Sequence, residues 1–143
     1  MKKIAILNGP NLNHLGKREP EIYGSETLAD LEASLCQEAE SKNCSISFFQ
    51  SNHEGQLIDK IYELVESGCD GIIFNPAGYT HTSIALRDAI SGSDIPTIEV
   101  HISNIHKRES FRHNSMLAPV CIGSIVGLGL KGYSHALQHL ANL

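Results

Sequence analysis

Residues 71–76, Gly71-Ile72-Ile73-Phe74-Asn75-Pro76 (GIIFNP), decide the fold. No polar side chain interrupts the run before Asn75, so a strand built from it has no face for water and must be covered on both sides. Residues 4–7 (IAIL) read the same way, whereas a half-exposed strand would alternate apolar and polar residues. Working outward, short β-rich runs alternate with longer amphipathic segments. Residues 3–8 precede 26–42, 45–51 precede 54–67, 71–76 precede 81–91, 96–103 precede 106–114, and 120–128 precede 132–143. The pattern predicts five βα units. In the first amphipathic segment Leu28, Leu31, Leu35 and Ala39 recur at spacings of three and four, which is one face of a helix.

Strands joined by crossover helices run parallel. Five such units predict an α/β fold, a flavodoxin-like doubly wound five-stranded parallel sheet with helices on both faces. A barrel of eight units needs about 200 residues or more, and this chain has 143, of which 41% are apolar. One domain spanning residues 1–143 is expected.

Eleven Lys and Arg against 16 Asp and Glu give a net charge of -5. That surface repels a phosphate backbone, so nucleic acid is not an expected partner. The opening MKKIAILNGP carries an apolar run broken at once by Asn8-Gly9-Pro10, too short for a signal core or a membrane span. A cytoplasmic location with no membrane partner is expected. Cys36, Cys44, Cys69 and Cys121 form no CxxC pair and are expected to be reduced.

The unusual segments are connections: residues 8–24, 75–82 and 101–115. All three begin at carboxyl ends of strands, where sheets of this class bind ligands. In NGPNLNHLGKREPEIYG, Asn8, Asn11 and Asn13 offer amides, either to the turn or to a ligand, and Arg18 and Tyr23 share the same connection. In NPAGYTHTS, Asn75 leaves its strand and Ala77-Gly78 let backbone approach a ligand. Thr80 or Thr82 is expected to cap the next helix with His81 in its first turn, an arrangement suited to an anion. In IEVHIS, Glu99, His101 and Ser103 fall on one strand face, so the carboxylate can orient and charge the imidazole. Arg108 and Arg112 follow four residues apart; on a helix they would project together, to grip a carboxylate or to form a solvated basic face.

Other chemistries lack their residues. Gly127-x-Gly129-x-x-Gly132 matches a dinucleotide fingerprint, but it opens the last helix, leaving no further strand or ribose-binding acid. Asn8 and Asn75 stand where a phosphoacceptor receiver carries aspartates. His135 and His139 have no Cys/His partners, so no catalytic metal is expected. There is no GxSxG elbow, and no lysine lies within an apolar strand where it could form an imine. A noncovalent acid–base set remains: a tyrosine near an arginine, a histidine backed by a glutamate, amides, and arginines for an anion. It points to proton abstraction and elimination without a cofactor. A noncatalytic module binding an anionic metabolite would account for the arginines but not for both pairs; a lyase for another hydroxy-keto acid is separated only by testing substrates.

From LNGPNLNHLGKREPEIYG (7–24) through FNPAGYTHTS (74–83) and IEVHISNIHKRESFRHNS (98–115) to GLGLKGY (127–133), the chain resembles the type II 3-dehydroquinate dehydratases over nearly its whole length. The resemblance implies loss of water from 3-dehydroquinate to give 3-dehydroshikimate, a step of the shikimate pathway, in a homododecamer built as a tetramer of trimers. It matches Tyr23 to the base and Arg18 to the arginine beside it. A phenol ionises near pH ~10, so a cation must favour its charged form if it is to act near neutrality. The resemblance assigns Asn13, two residues beyond Asn11, to a water that stabilises the enolate, and His101 to the general acid with Glu99 holding its imidazole. It assigns Asn75, His81, Arg112 and the backbone at Ile102 and Ser103 to substrate binding, Asp88 to a site across the subunit boundary, and Arg108 to a lid bearing Arg18 and Tyr23.

Overall fold

The computed structural model describes residues 1–143. Strands β1 (Lys2–Asn8), β2 (Cys44–Gln50), β3 (Gly71–Asn75), β4 (Thr97–His101) and β5 (Gly123–Val126) form one parallel sheet in the order β2-β1-β3-β4-β5. The chain adds β2 on one side of β1 and the remaining strands on the other, so the order reverses between β1 and β3. Their register sets Asn8 beside Asn75 at that switch point, the position at which this class of sheet opens a crevice.

The helices are α1 (Pro20–Tyr23), α2 (Leu28–Ser41), α3 (Glu54–Glu66), α4 (Ile84–Ser93) and α5 (Lys131–Ala141). Strand alternation explains the layers. Ile4 and Ile6 pack with Ile73 and Val100 beneath Leu31 and Leu35 of α2 and Leu137 of α5. Ala5 and Leu7 face the other way, packing with Ile72 and Phe74 against Leu57 and Ile61 of α3 and Leu86 of α4. Each buried Leu or Ile contributes about 1.5–3 kcal/mol; truncating Leu35, which is 2% exposed, to alanine costs about 2–5 kcal/mol. Helix α2 starts at a capping box in which the Asp30 N–H donates to Thr27 Oγ1 and the Thr27 N–H to Asp30 Oδ2. That box ends the long first connection. No helix is long and apolar enough to cross a membrane.

Two local expectations are corrected. Residues 106–114 form no α-helix: Ile105–Lys107 and Ser110–Arg112 are separate 3-10 turns with extended backbone at Arg108 and Glu109. The Asn104 side chain caps the first turn, and the His113 ring takes the Arg108 carbonyl at 2.9 Å, so the hydrogen bonds of a continuous helix never form. The path from β4 to β5 therefore lacks a helix, and there are four βα units rather than five. Helix α4 is capped by Ser83, whose Oγ accepts from the Leu86 N–H at 2.9 Å, and not by Thr80 or Thr82. Residues Ala77–His81 tighten into a 3-10 turn, which delays the helix and leaves the Thr80 hydroxyl buried without a partner.

Candidate active site

A cavity of about 140 Å³ opens at the carboxyl ends of β1, β3 and β4. Its floor belongs to the strands. Glu99 and His101, two residues apart on β4, point to one side and are 1% and 5% exposed. His101 Nε2 lies 2.6 Å from Glu99 Oε2, and Ser115 Oγ donates to Glu99 Oε1 at 2.7 Å, so each oxygen of this buried carboxylate has a donor. Removal of either partner strands a charge where water cannot reach it. Asn75 ends β3 with Oδ1 accepting from the Ala77 N–H at 3.1 Å. The His81 ring stacks against that of His101 with centroids 6.5 Å apart. His81 Nδ1–H donates to the Asn114 carbonyl, and partial burial, with His101 and Arg112 nearby, holds the ring below the usual histidine range, so near neutrality it presents an uncharged imidazole. Behind Glu99, burial and the neighbouring carboxylate push the Cys121 thiol up to about 12.

The wall belongs to loops. Tyr23 ends α1, a single turn entered through Glu19 in the left-handed region and Pro20, and left through Gly24 at φ 83°. Its Oη accepts from Arg108 Nη1 at 2.6 Å. The guanidinium carbons of Arg18 and Arg108 each lie 5.5 Å from the ring centroid, and both arginines approach Glu19. Arg108 also reaches Ser103 Oγ at 3.3 Å, linking the wall to the end of β4. Arg112 projects into the cavity while held by Glu109 at 3.1 Å.

Of the residues expected from sequence, Arg18, Tyr23, Asn75, His81, His101, Ile102, Ser103 and Arg112 line this one cavity, with Glu99 directly behind His101. Two stand elsewhere. Asn11, in the left-handed region at φ 72° and tied through its N–H to Asn52 Oδ1, faces the cavity, while Asn13 is exposed beside His14. Of the two asparagines, Asn11 and not Asn13 lines the cavity. Asp88 is exposed on α4, away from the cavity of its own chain. Sequence reasoning missed Ser115 as the second partner of Glu99 and ranked Arg108 below Arg18, although Arg108 makes the direct bond to the phenol. Neither contact has a signal in spacing. His135 and His139 lie exposed on α5, remote from the cavity.

The sequence profile described as Dehydroquinase class II matches residues 2–141. The chain belongs to the type II dehydroquinase family. A 3-dehydroquinate dehydratase of Bacillus pumilus (strain SAFR-032) is 59% identical over 142 residues, covering 99% of this chain and 96% of the relative. Among solved structures, the type II dehydroquinase from Butyrivibrio crossotus DSM 2876 is 53% identical and superposes with a TM-score of 0.96, covering 97% of each chain. That from Propionibacterium acnes is 42% identical with the same TM-score of 0.96, covering 100% of this chain and 98% of its own. Type II dehydroquinases therefore share with this chain the parallel sheet and the order of its crossovers.

Proposed function

We propose that this chain, a hydro-lyase of the 3-dehydroquinate dehydratase type, removes water from 3-dehydroquinate through an enolate, with Tyr23 as base and His101 as acid. The observation that carries the reading is that both line one cavity, the phenol held by Arg108 and the imidazole by Glu99.

The Tyr23 oxygen, as tyrosinate, takes the proton from the carbon next to the ketone, and the C–H electron pair moves into the carbonyl to give the enolate. Two guanidinium groups against the ring offset the negative charge that the phenolate carries. A water held by an asparagine stabilises the enolate oxygen, and Asn11 replaces Asn13 in this role because it faces the cavity. The enolate then collapses: a carbon–carbon double bond forms, the C–O bond to the β-hydroxyl breaks, and His101 protonates the departing oxygen so that it leaves as water. Glu99 stabilises the imidazolium that supplies this proton. Arg112, His81, Asn75 and the backbone at Ile102 and Ser103 hold the carboxylate and hydroxyls. No step passes through a metal or an imine. When the connection bearing Arg18 and Tyr23 opens, substrate enters; closure excludes water.

Asp88 acts in the cavity of a neighbouring subunit, within a homododecamer arranged as a tetramer of trimers; its exposure away from its own cavity supports this. Four free thiols suit the cytoplasm. The test is ultraviolet absorbance after the purified protein is added to 3-dehydroquinate with a chelator present, since the enone product absorbs and the substrate does not. A rise that survives borohydride treatment in the presence of substrate supports the reading. A flat trace from folded protein, assembled by light scattering, would leave a module that binds an anionic metabolite.

A further inference from the structure

We propose that Tyr133 is a positioning residue for substrate binding: its hydroxyl fixes Asn75 so that the cavity floor offers the substrate a single amide hydrogen there. This rests on the reading of Asn75 as a substrate contact.

Tyr133 lies in the first turn of α5, fully buried, with its ring in the apolar layer beneath α2 and α5. Its hydroxyl reaches the ends of β1 and β3, accepting from Asn75 Nδ2 at 2.9 Å and donating to Asn8 Oδ1 at 2.6 Å. The direction of this relay is determined. Asn75 Oδ1 accepts from the Ala77 N–H, so turning the amide over would set two donors against each other. Nδ2 must then donate to Tyr133, and the phenol proton has only Asn8 Oδ1 to go to. Burial pushes the Tyr133 phenol up, so its proton stays in place and the relay cannot reverse by ionisation. Asn8 makes no other side-chain hydrogen bond, and its Nδ2 is buried without a partner, so accepting this hydrogen bond is what its side chain does.

With its oxygen and one amide hydrogen engaged, Asn75 has one N–H left for the cavity it lines. The ligand atom placed there must accept a hydrogen bond, as a hydroxyl or carbonyl oxygen does, and a group that only donates is rejected. The glycine-rich stretch that resembled a dinucleotide loop has its use here. A Cβ on Gly132 would come within 3.3 Å of Ile125 Cγ2 and Val100 Cγ1, a tight contact, so glycine here eases the close approach of α5 that lets the next residue reach the strand ends.

The experiment is steady-state kinetics on assembled enzyme with 3-dehydroquinate, for Tyr133→Phe, Asn75→Ala and the double variant. Tyr133→Phe is expected to raise KM about tenfold while kcat changes less than about threefold. In the Asn75→Ala background the same substitution is expected to raise KM less than about twofold, because the group it acts through is gone. An equal rise in both backgrounds, or a lower thermal midpoint with KM unchanged, would make Tyr133 merely structural and overturn the proposal. An Asn75→Ala variant with unchanged KM would instead remove Asn75 from the substrate contacts, and the proposal with it. Should Tyr133→Phe fail to fold, Asn8→Ala keeps the phenol and removes its acceptor. It is expected to raise KM in the parent and not in the Asn75→Ala background; a rise in both, or in neither, overturns the relay.

Discussion

His101 and Tyr23 line one cavity and are held in opposite ways. His101 is the last residue of β4, 5% exposed, hydrogen-bonded to a carboxylate that is itself 1% exposed, and its carbonyl accepts from the Gly127 N–H. Tyr23 ends a four-residue helix between a left-handed Glu19 and Gly24, and its polar contacts come from the arginines Arg18 and Arg108. The floor shares the cooperativity of the sheet and can be displaced only by unfolding it. The wall hangs on a short turn and loop contacts, so in the lid reading proposed above it opens without disturbing the sheet. Chemistry and stability should therefore separate at the wall and stay joined at the floor.

The largest expected effect is at Tyr23. Tyr23→Phe should lower kcat by about 10⁴-fold, leave the thermal midpoint where it was, and keep the affinity for a substrate analogue measured by calorimetry. Substantial residual turnover would take the base away from this position. Glu99→Gln should behave differently, lowering kcat about 10²-fold and also unfolding stability by about 1–3 kcal/mol, because an amide cannot satisfy both the His101 and Ser115 donors. Urea denaturation of that variant alongside its kinetics would break the comparison if stability were untouched. Arg108→Lys should cost kcat about tenfold, more than Arg18→Lys, since an ammonium does not hold Tyr23 Oη and Ser103 Oγ in the guanidinium geometry. The reverse order would return the direct role to Arg18.

The smallest effect concerns pH. His81 titrates below its ordinary 6.5 in the folded chain. Above that value both folded and unfolded chains carry it neutral and nothing is lost. As pH falls below it the unfolded chain binds the proton first, so stability declines until the lower folded value is passed. His81→Gln should therefore lose less stability than the parent between pH ~7.5 and ~5.5, read from urea midpoints; an equal loss would show that His81 contributes nothing to that slope.

The sheet was legible because Ile4–Leu7 and Gly71–Phe74 are apolar on both faces, a demand that few folds meet. The Glu99–His101 pair was legible for a related reason: a period of two makes neighbours on a strand face visible in the sequence. Contacts closed by the fold were not legible. Arg18 stands five residues from Tyr23, yet Arg108, 85 residues away, makes the hydrogen bond. Residues 106–114 carry arginines at helical spacing, but Asn104 and His113 supply competing hydrogen bonds that spacing does not weigh. Which of Asn11 and Asn13 lines the cavity depends on the path of the loop, which includes a positive φ at Asn11 that asparagine tolerates and composition does not announce.

The place of β5 at the end of the sheet order has a consequence for handling the protein. Strand β5 is four residues long, lies at the margin of the sheet with Gly123 and Ser124 exposed, and is flanked by exposed Ile122 and Leu128. Its outer backbone groups form a template that any extended segment can take, including one from a half-folded copy. Renaturation from denaturant is then a race between correct folding and sticking, in which dilution and slow removal of denaturant favour folding.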